Sequence, residues 1–247
     1  MWGAQCGNSA RWDLWRGWRA TASFYATCET RCQCGEEIRA RPESNPLKRW
    51  NKSLENIKTK ITLIRHGKPK AHDDYSSFSI ISGKNIEQFI KAWNTCELQK
   101  KYDTSSLLKE IISDGNLFIS SNLKRTHESF KIIGVSEFES YDFLNEAELP
   151  FGIGNSIKMP LVIWLIALRL MWRFGLKINS ESHKDFVERI RKCVNFLVEK
   201  GNEKHTIVMA HGFVNRNIKK ELMKRDWKLI SSKGGHNYWS YSTFGKV

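Results

Sequence analysis

The chain has 247 residues and a formal net charge of +14, with 40% hydrophobic and 12% aromatic residues. That composition supports a buried core and excludes a wholly disordered chain. The charge suits anionic partners, phosphorylated metabolites, nucleic acid and acidic lipid headgroups alike, and does not choose among them.

Residues 1–50 differ in character from the rest of the chain. They hold five of the ten tryptophans, four of the six cysteines and seven arginines, but one lysine, Lys48. Beyond residue 50 the chain is rich in Lys, Asn, Ile and Ser, and the stretch from Arg41 to Pro46 reads as a linker because each proline holds its predecessor extended. Trp12, Trp15 and Trp18, interleaved with arginines, outline an amphipathic helix that Gly17 weakens. Cys28, Cys32 and Cys34 lack a fourth ligand at zinc-finger spacing. The expectation is a poorly ordered N-terminal extension over 1–50, followed by a catalytic domain over 51–247. A chain this long needs no disulfides, and no continuous apolar h-region opens it, so a reducing, cytoplasmic setting is expected.

From residue 58 the pattern is regular. Ile61–Ile64 is a short apolar run with the character of a buried strand. Helical periodicity covers 84–101 and 105–113, and a turn at Asp114-Gly115-Asn116 leads to a strand over Leu117–Ser120. Residues 122–133 read as a helix, and Tyr141-Asp142-Phe143 as the end of a third strand. Residues 183–200 form an amphipathic helix with Phe186, Ile190, Cys193, Phe196 and Leu197 on one face, closed by Gly201-Asn202. Thr206–Ala210 is another buried strand, a helix follows over 214–226, and a last strand lies near Tyr238–Phe244. Strands alternating with helices predict an α/β fold, a three-layer α/β/α sandwich with a mainly parallel central sheet.

Two of these strands run into a histidine followed by glycine, as Arg65-His66-Gly67 and as His211-Gly212. In an open α/β sheet, ligands bind beyond the carboxyl ends of parallel strands, so both histidines can meet in one pocket. Glycine after each lets the backbone turn sharply and approach a ligand closely. The strand ending at Ser120 delivers Ser121 and the first turn of a helix carrying Arg125, where a helix N-terminus and a guanidinium make a phosphate site. Glu146 and Glu148 follow the third strand. His72, His127, His183, His205 and His236 have no motif support and read as surface or structural.

The four elements, in this order, resemble the histidine phosphatase superfamily, whose fold is phosphoglycerate mutase-like. The resemblance covers 59–247 and rests on Arg65-His66-Gly67, on Ser121 to Arg125, on Asn145-Glu146 and on His211-Gly212. It implies a phosphomonoesterase acting through a phosphohistidine on His66, with no cofactor and no metal. A neutral imidazole attacks phosphorus, and neighbouring positive charge keeps it neutral. Arg65, Arg125 and His211 are then expected around the non-bridging oxygens, with Gly67 and Gly212 at the phosphate, and Glu146 is favoured over Glu148 as the acid that protonates the leaving oxygen. The Glu-Ser-x-Trp-Asn continuation of the mutases is replaced by Lys68-Pro69-Lys70-Ala71-His72, which favours phosphatase over mutase activity.

The alternative class is a catalytically idle cationic protein of the same fold that binds anionic lipid or nucleic acid. No aromatic-interleaved basic motif for RNA stands out, so the expected partner is a phosphorylated small molecule and not nucleic acid. Residues 156–176 contain the apolar run Leu161–Leu168, too short to span a bilayer. They are expected as a lid-like insertion over the pocket, with packing into the core and peripheral membrane contact through 160–172 as alternatives. As a lid, the segment implies an apolar phosphorylated substrate. The sequence leaves the oligomeric state open.

Overall fold

The structure, a computed structural model, describes residues 57, 59–70, 75–76, 78–99, 106–152, 156–175, 180–202 and 204–246. All belong to the compact unit Ser44–Val247; the readings made of residues 1–50 lie outside the described residues. Strand β1, Lys60–Arg65, sends its side chains into two different cores. Ile61 and Leu63 join one apolar cluster and Ile64 the other. In β6, His205–Ala210, Val208 and Ala210 join the first cluster, Ile207 and Met209 the second. Successive strand residues face opposite ways, so strands buried at nearly every position must be covered on both sides.

The remaining strands of this sheet are β3, Leu117–Ser121; β4, Glu139–Tyr141; β7, Lys228–Lys233; and β8, Tyr241–Gly245, in the order β4-β3-β6-β1-β8-β7. The first four run parallel, and β8 and β7 close the edge antiparallel. Helices α2, Ser106–Ser113, and α3, Lys124–Ile132, cover one face through Leu108 and Phe130. Helices α5, His183–Lys200, and α6, Gly212–Lys224, cover the other through Phe186, Ile190, Val214 and Ile218. The fold is a three-layer α/β/α sandwich with a mainly parallel sheet.

A smaller sheet pairs β2, Ile80–Ser82, with β5, Lys158–Pro160. It precedes helices α1, Gly83–Thr95, and α4, Leu161–Arg173, and the four elements share a third apolar cluster containing Ile81, Ile86, Phe89, Leu161, Trp164 and Leu168. The α4 tryptophans are tied by their indole N–H groups, Trp164 to the Ile81 carbonyl at 3.0 Å and Trp172 to that of Glu181 at 2.7 Å. Among the described residues no helix is long and apolar enough to cross a membrane.

Several elements depart from expectation. The third strand ends at Tyr141, where a short 3-10 helix, Asp142–Leu144, begins. The helix predicted to reach residue 101 ends at Thr95. Tertiary hydrogen bonds replace its last turns: Leu98 N–H donates to Glu128 Oε2 at 2.9 Å, and Gln99 N–H to the Lys68 carbonyl at 2.9 Å. Helix α6 begins at Gly212, two residues earlier than predicted, with His211 as its N-cap residue. The last strand starts at Tyr241, because 234–240 is a loop with Gly234 at φ 84°, Gly235 at φ 57° and Trp239 at φ 60°. A left-handed conformation costs a side-chain-bearing residue such as Trp239 roughly 1–2 kcal/mol, so tertiary contacts must hold it there.

Candidate active site

His66 follows β1 directly and is 3% exposed. Its Nδ1 lies 2.7 Å from the Gly67 carbonyl oxygen. A carbonyl can only accept, so Nδ1 carries the proton and Nε2 is left with its lone pair. Burial holds the pKa of His66 well below the ordinary histidine value, and Arg125 and Arg65 add to this by repelling the imidazolium. A neutral imidazole with a defined free nitrogen is the state a nucleophile requires.

His211, fully buried at the end of β6, is the neighbouring ring, with centroids 5.0 Å from His66. Arg125 Nε donates to its Nδ1 at 3.2 Å. A guanidinium has no acceptor, so the His211 proton sits on Nε2, which donates to Ser121 Oγ at 2.8 Å. Burial, then Arg125 and His66, keep this ring neutral too. Both its nitrogens are engaged within the protein, and through Nδ1 His211 fixes Arg125.

Arg125 lies in the first turn of α3 and is 1% exposed. Its Nη1 donates to the Trp93 carbonyl and Asn94 Oδ1, each at 3.3 Å, so its hydrogen-bond acceptors among the described residues are neutral, and the Glu146 carboxylate nearby offsets only part of its burial. A buried cation held by neutral groups is costly until an anion joins it. Arg65 donates through Nη1 to the His236 carbonyl and lies over the Tyr238 ring, 4.3 Å from its centroid. Its Nε is buried without a partner among the described residues.

Glu146 and Glu148 both line a cavity of about 690 Å³ that also meets Arg65 and Arg125. Glu148 is exposed, whereas Glu146 is partly buried and lines a second cavity with Arg65 as well. Arg189 of α5 holds the strand of chain before Glu146, donating to the Phe143 and Asn145 carbonyls at 2.7 and 2.9 Å. Glu146 Oε1 accepts from Ala147 N–H at 3.1 Å, and Oε2 from Phe213 N–H at 3.4 Å.

Neither glycine has a positive φ, and both make room for close packing. A Cβ on Gly67 would lie 2.7 Å from the Trp239 ring, and one on Gly212 3.2 Å from the Arg65 guanidinium carbon. The Gly67 N–H donates to Ser129 Oγ at 2.9 Å.

Sequence reasoning missed the loop 234–240, whose Tyr238 ring stands 5.7 Å from His66 and whose Trp239 covers Gly67. Its aromatic run has the composition of a strand. Arg169, which also lines the larger cavity and donates to the Ala147 carbonyl at 3.2 Å, is hidden in the sequence inside an apolar helix. The apolar walls of that cavity include Phe89 and Trp93 of α1 and Leu161, Leu165 and Ile166 of α4.

A profile of the histidine phosphatase superfamily (branch 1) matches residues 61–242. The chain belongs to the histidine phosphatase superfamily. The matched span starts in β1 and ends in β8. No curated protein sequence matches the chain. Similar solved structures include a mycobacterial glucosyl-3-phosphoglycerate phosphatase, 18% identical, covering 75% of this chain and 92% of its own, with TM-score 0.45. Another is a phosphoserine phosphatase from Entamoeba histolytica, 16% identical, covering 75% and 89%, with TM-score 0.47. A third is described as mycobacterial hydrolase 1, 16% identical, covering 76% and 89%, with TM-score 0.49.

Proposed function

We propose that the protein is a phosphomonoesterase that works through a phosphohistidine on His66. The observation that carries this reading is the bond from His66 Nδ1 to the Gly67 carbonyl, which leaves Nε2 unprotonated beside two guanidinium groups. Nε2 attacks phosphorus in line, the ester P–O bond breaks, and Glu146 gives its proton to the departing alkoxide. Water then attacks the phosphoryl group and passes a proton to Glu146. The N–P bond breaks, its electron pair returns to Nε2, and inorganic phosphate leaves.

Arg125 and Arg65 neutralise the charge that spreads over the non-bridging oxygens, and losing one such donor typically costs on the order of 3 kcal/mol of transition-state stabilisation. His211 contributes by holding Arg125 Nε. Helix α4 supports the reading of 156–176 as a wall that selects the substrate, because Leu165, Ile166 and Arg169 face the larger cavity while Trp164 and Leu168 anchor the helix in its core. The fitting substrate is a phosphomonoester with an apolar body.

The test is turnover of a phosphomonoester panel by wild type and His66→Ala. The reading expects hydrolysis that falls at least 10³-fold in the variant, and activity near wild type in His66→Ala would overturn it.

A further inference from the structure

A second cavity, of about 290 Å³, lies between the start of α6 and the loop 234–240. It shares Arg65 and Glu146 with the larger one, but its other polar lining differs: Asn215, Arg216, Lys219, His236 and Ser240. Residues 212, 215, 216 and 219 fall on one stripe of α6, at the i, i+3, i+4 and i+7 positions of a helix. Three cations, Arg65, Arg216 and Lys219, thus converge on a space that, among the described residues, only one carboxylate, Glu146, borders.

Little in the protein compensates these charges. Arg216 is exposed with no carboxylate partner among the described residues, and the Lys219 ammonium donates to a neutral hydroxyl, Ser242 Oγ, at 2.6 Å. Burial pushes the Lys219 pKa below the ordinary lysine value, as expected for a cation lacking a counter-ion. Two polar atoms of lining residues are buried without a partner among the described residues: the donor Arg65 Nε, and the acceptor Oδ1 of Asn215, a residue 5% exposed. The Asn215 amide cannot simply turn over, because its Nδ2 donates to the Ile64 carbonyl at 3.0 Å. A phosphate or carboxylate group offers acceptors for all three cations. The volume is several times the roughly 30 Å³ that one water occupies in the liquid, which leaves room for a tetrahedral anion.

We propose that this cavity is a second anion subsite, taking a phosphate or carboxylate group other than the phosphate that His66 attacks. The group belongs either to the substrate itself, as its second anionic end, or to free phosphate acting on the enzyme through Arg65.

The test uses the full chain with Arg216→Ala, an exposed position, and Lys219→Met, which removes charge while keeping bulk. Inorganic phosphate titrated into wild type by calorimetry should show two sites, one of which weakens at least 10-fold in each variant. This arm requires no turnover, so it reads the subsite even if the hydrolase reading fails. The source of the anion is read by kinetics. A substrate-borne anion predicts that KM for an ester carrying a second phosphate or carboxylate rises at least 5-fold in Arg216→Ala, with p-nitrophenyl phosphate unchanged. A free anion predicts that phosphate alters kcat for p-nitrophenyl phosphate in wild type and not in the variant. A single phosphate site in wild type, with all kinetic constants of both variants within twofold, would overturn the proposal.

Discussion

Arg125 and His211 form a donor–acceptor pair of fixed polarity, 3.2 Å from Nε to Nδ1, in which one residue's buried charge is aimed by the other's lone pair. Replacing His211 with Ala leaves that N–H buried and unpaired, and frees the guanidinium to reorient. We expect kcat/KM to drop on the order of 10²–10³-fold, with inorganic phosphate weakened as a product inhibitor. His211→Gln retains an acceptor and should recover part of the loss. His211→Ala within threefold of wild type would mean that this bond does not position the phosphate.

The two buried histidines make stability depend on pH with a defined sign. Burial first, then Arg125, keep both folded pKa values well below 6.5. In the unfolded chain they take up protons near pH 6.5, so below that pH the unfolded state binds more protons and gains relative to the fold. Stability should therefore decline as pH falls from about 6.5 toward the folded values, by up to about 1.4 kcal/mol per pH unit for each histidine. Urea unfolding at pH 7 and 5.5 checks this, and a His211→Gln variant should lose less. The acidic limb of kcat/KM should likewise lie below pH 6.5, and a limb above it would contradict a depressed His66.

The assignment of the acid rests on burial and position. Glu146→Gln is expected to lower kcat by about 10²–10⁴-fold for an alkyl phosphate, whose leaving oxygen needs a proton, and much less for p-nitrophenyl phosphate. Glu148→Gln, at an exposed residue, should stay within threefold on both. The reverse pattern would exchange the two carboxylates.

Helix α4 separates packing from selectivity by residue. Trp164 and Leu168 are 2% and 1% exposed in the third core cluster, so their alanine variants should lose about 2–5 kcal/mol of stability. Leu165 and Ile166 face the larger cavity, and Ile166 is 53% exposed. Ile166→Ser should leave the melting temperature nearly unchanged, and lower kcat/KM several-fold for an octyl phosphate relative to glycerol phosphate. Equal changes on both substrates would remove α4 from substrate selection.

Legibility in the sequence tracks burial. Strands β1, β3 and β6 are short apolar runs between turns, and their carboxyl ends lead straight to His66, Arg125 and His211. Strand β7 has mostly exposed side chains, and β2 and β5 are three residues each, so no hydrophobic period marks them. The periodicity over 84–101 overextends α1 because Leu98 keeps the apolar period while tertiary bonds claim the backbone. The loop 234–240 escapes sequence reasoning because Tyr238 and Trp239 look like strand residues, and only the neighbouring glycines hint at a turn. Arg169 reads as an interruption in an apolar helix until the fold shows which face it occupies. The roles of Gly67 and Gly212 depend on Trp239 and Arg65, far away in sequence, so no local pattern could state them.

The central claim is that His66 Nε2 becomes covalently phosphorylated. The most direct measurement is rapid quench of the full-length protein during turnover of a phosphomonoester, followed by peptide mass mapping. The account predicts an acid-labile, base-stable phosphoryl group on His66 that forms and decays at rates compatible with kcat, and that is absent in His66→Ala. Steady turnover with no phosphoenzyme at any time point, or a phosphoryl group on another residue, would contradict it.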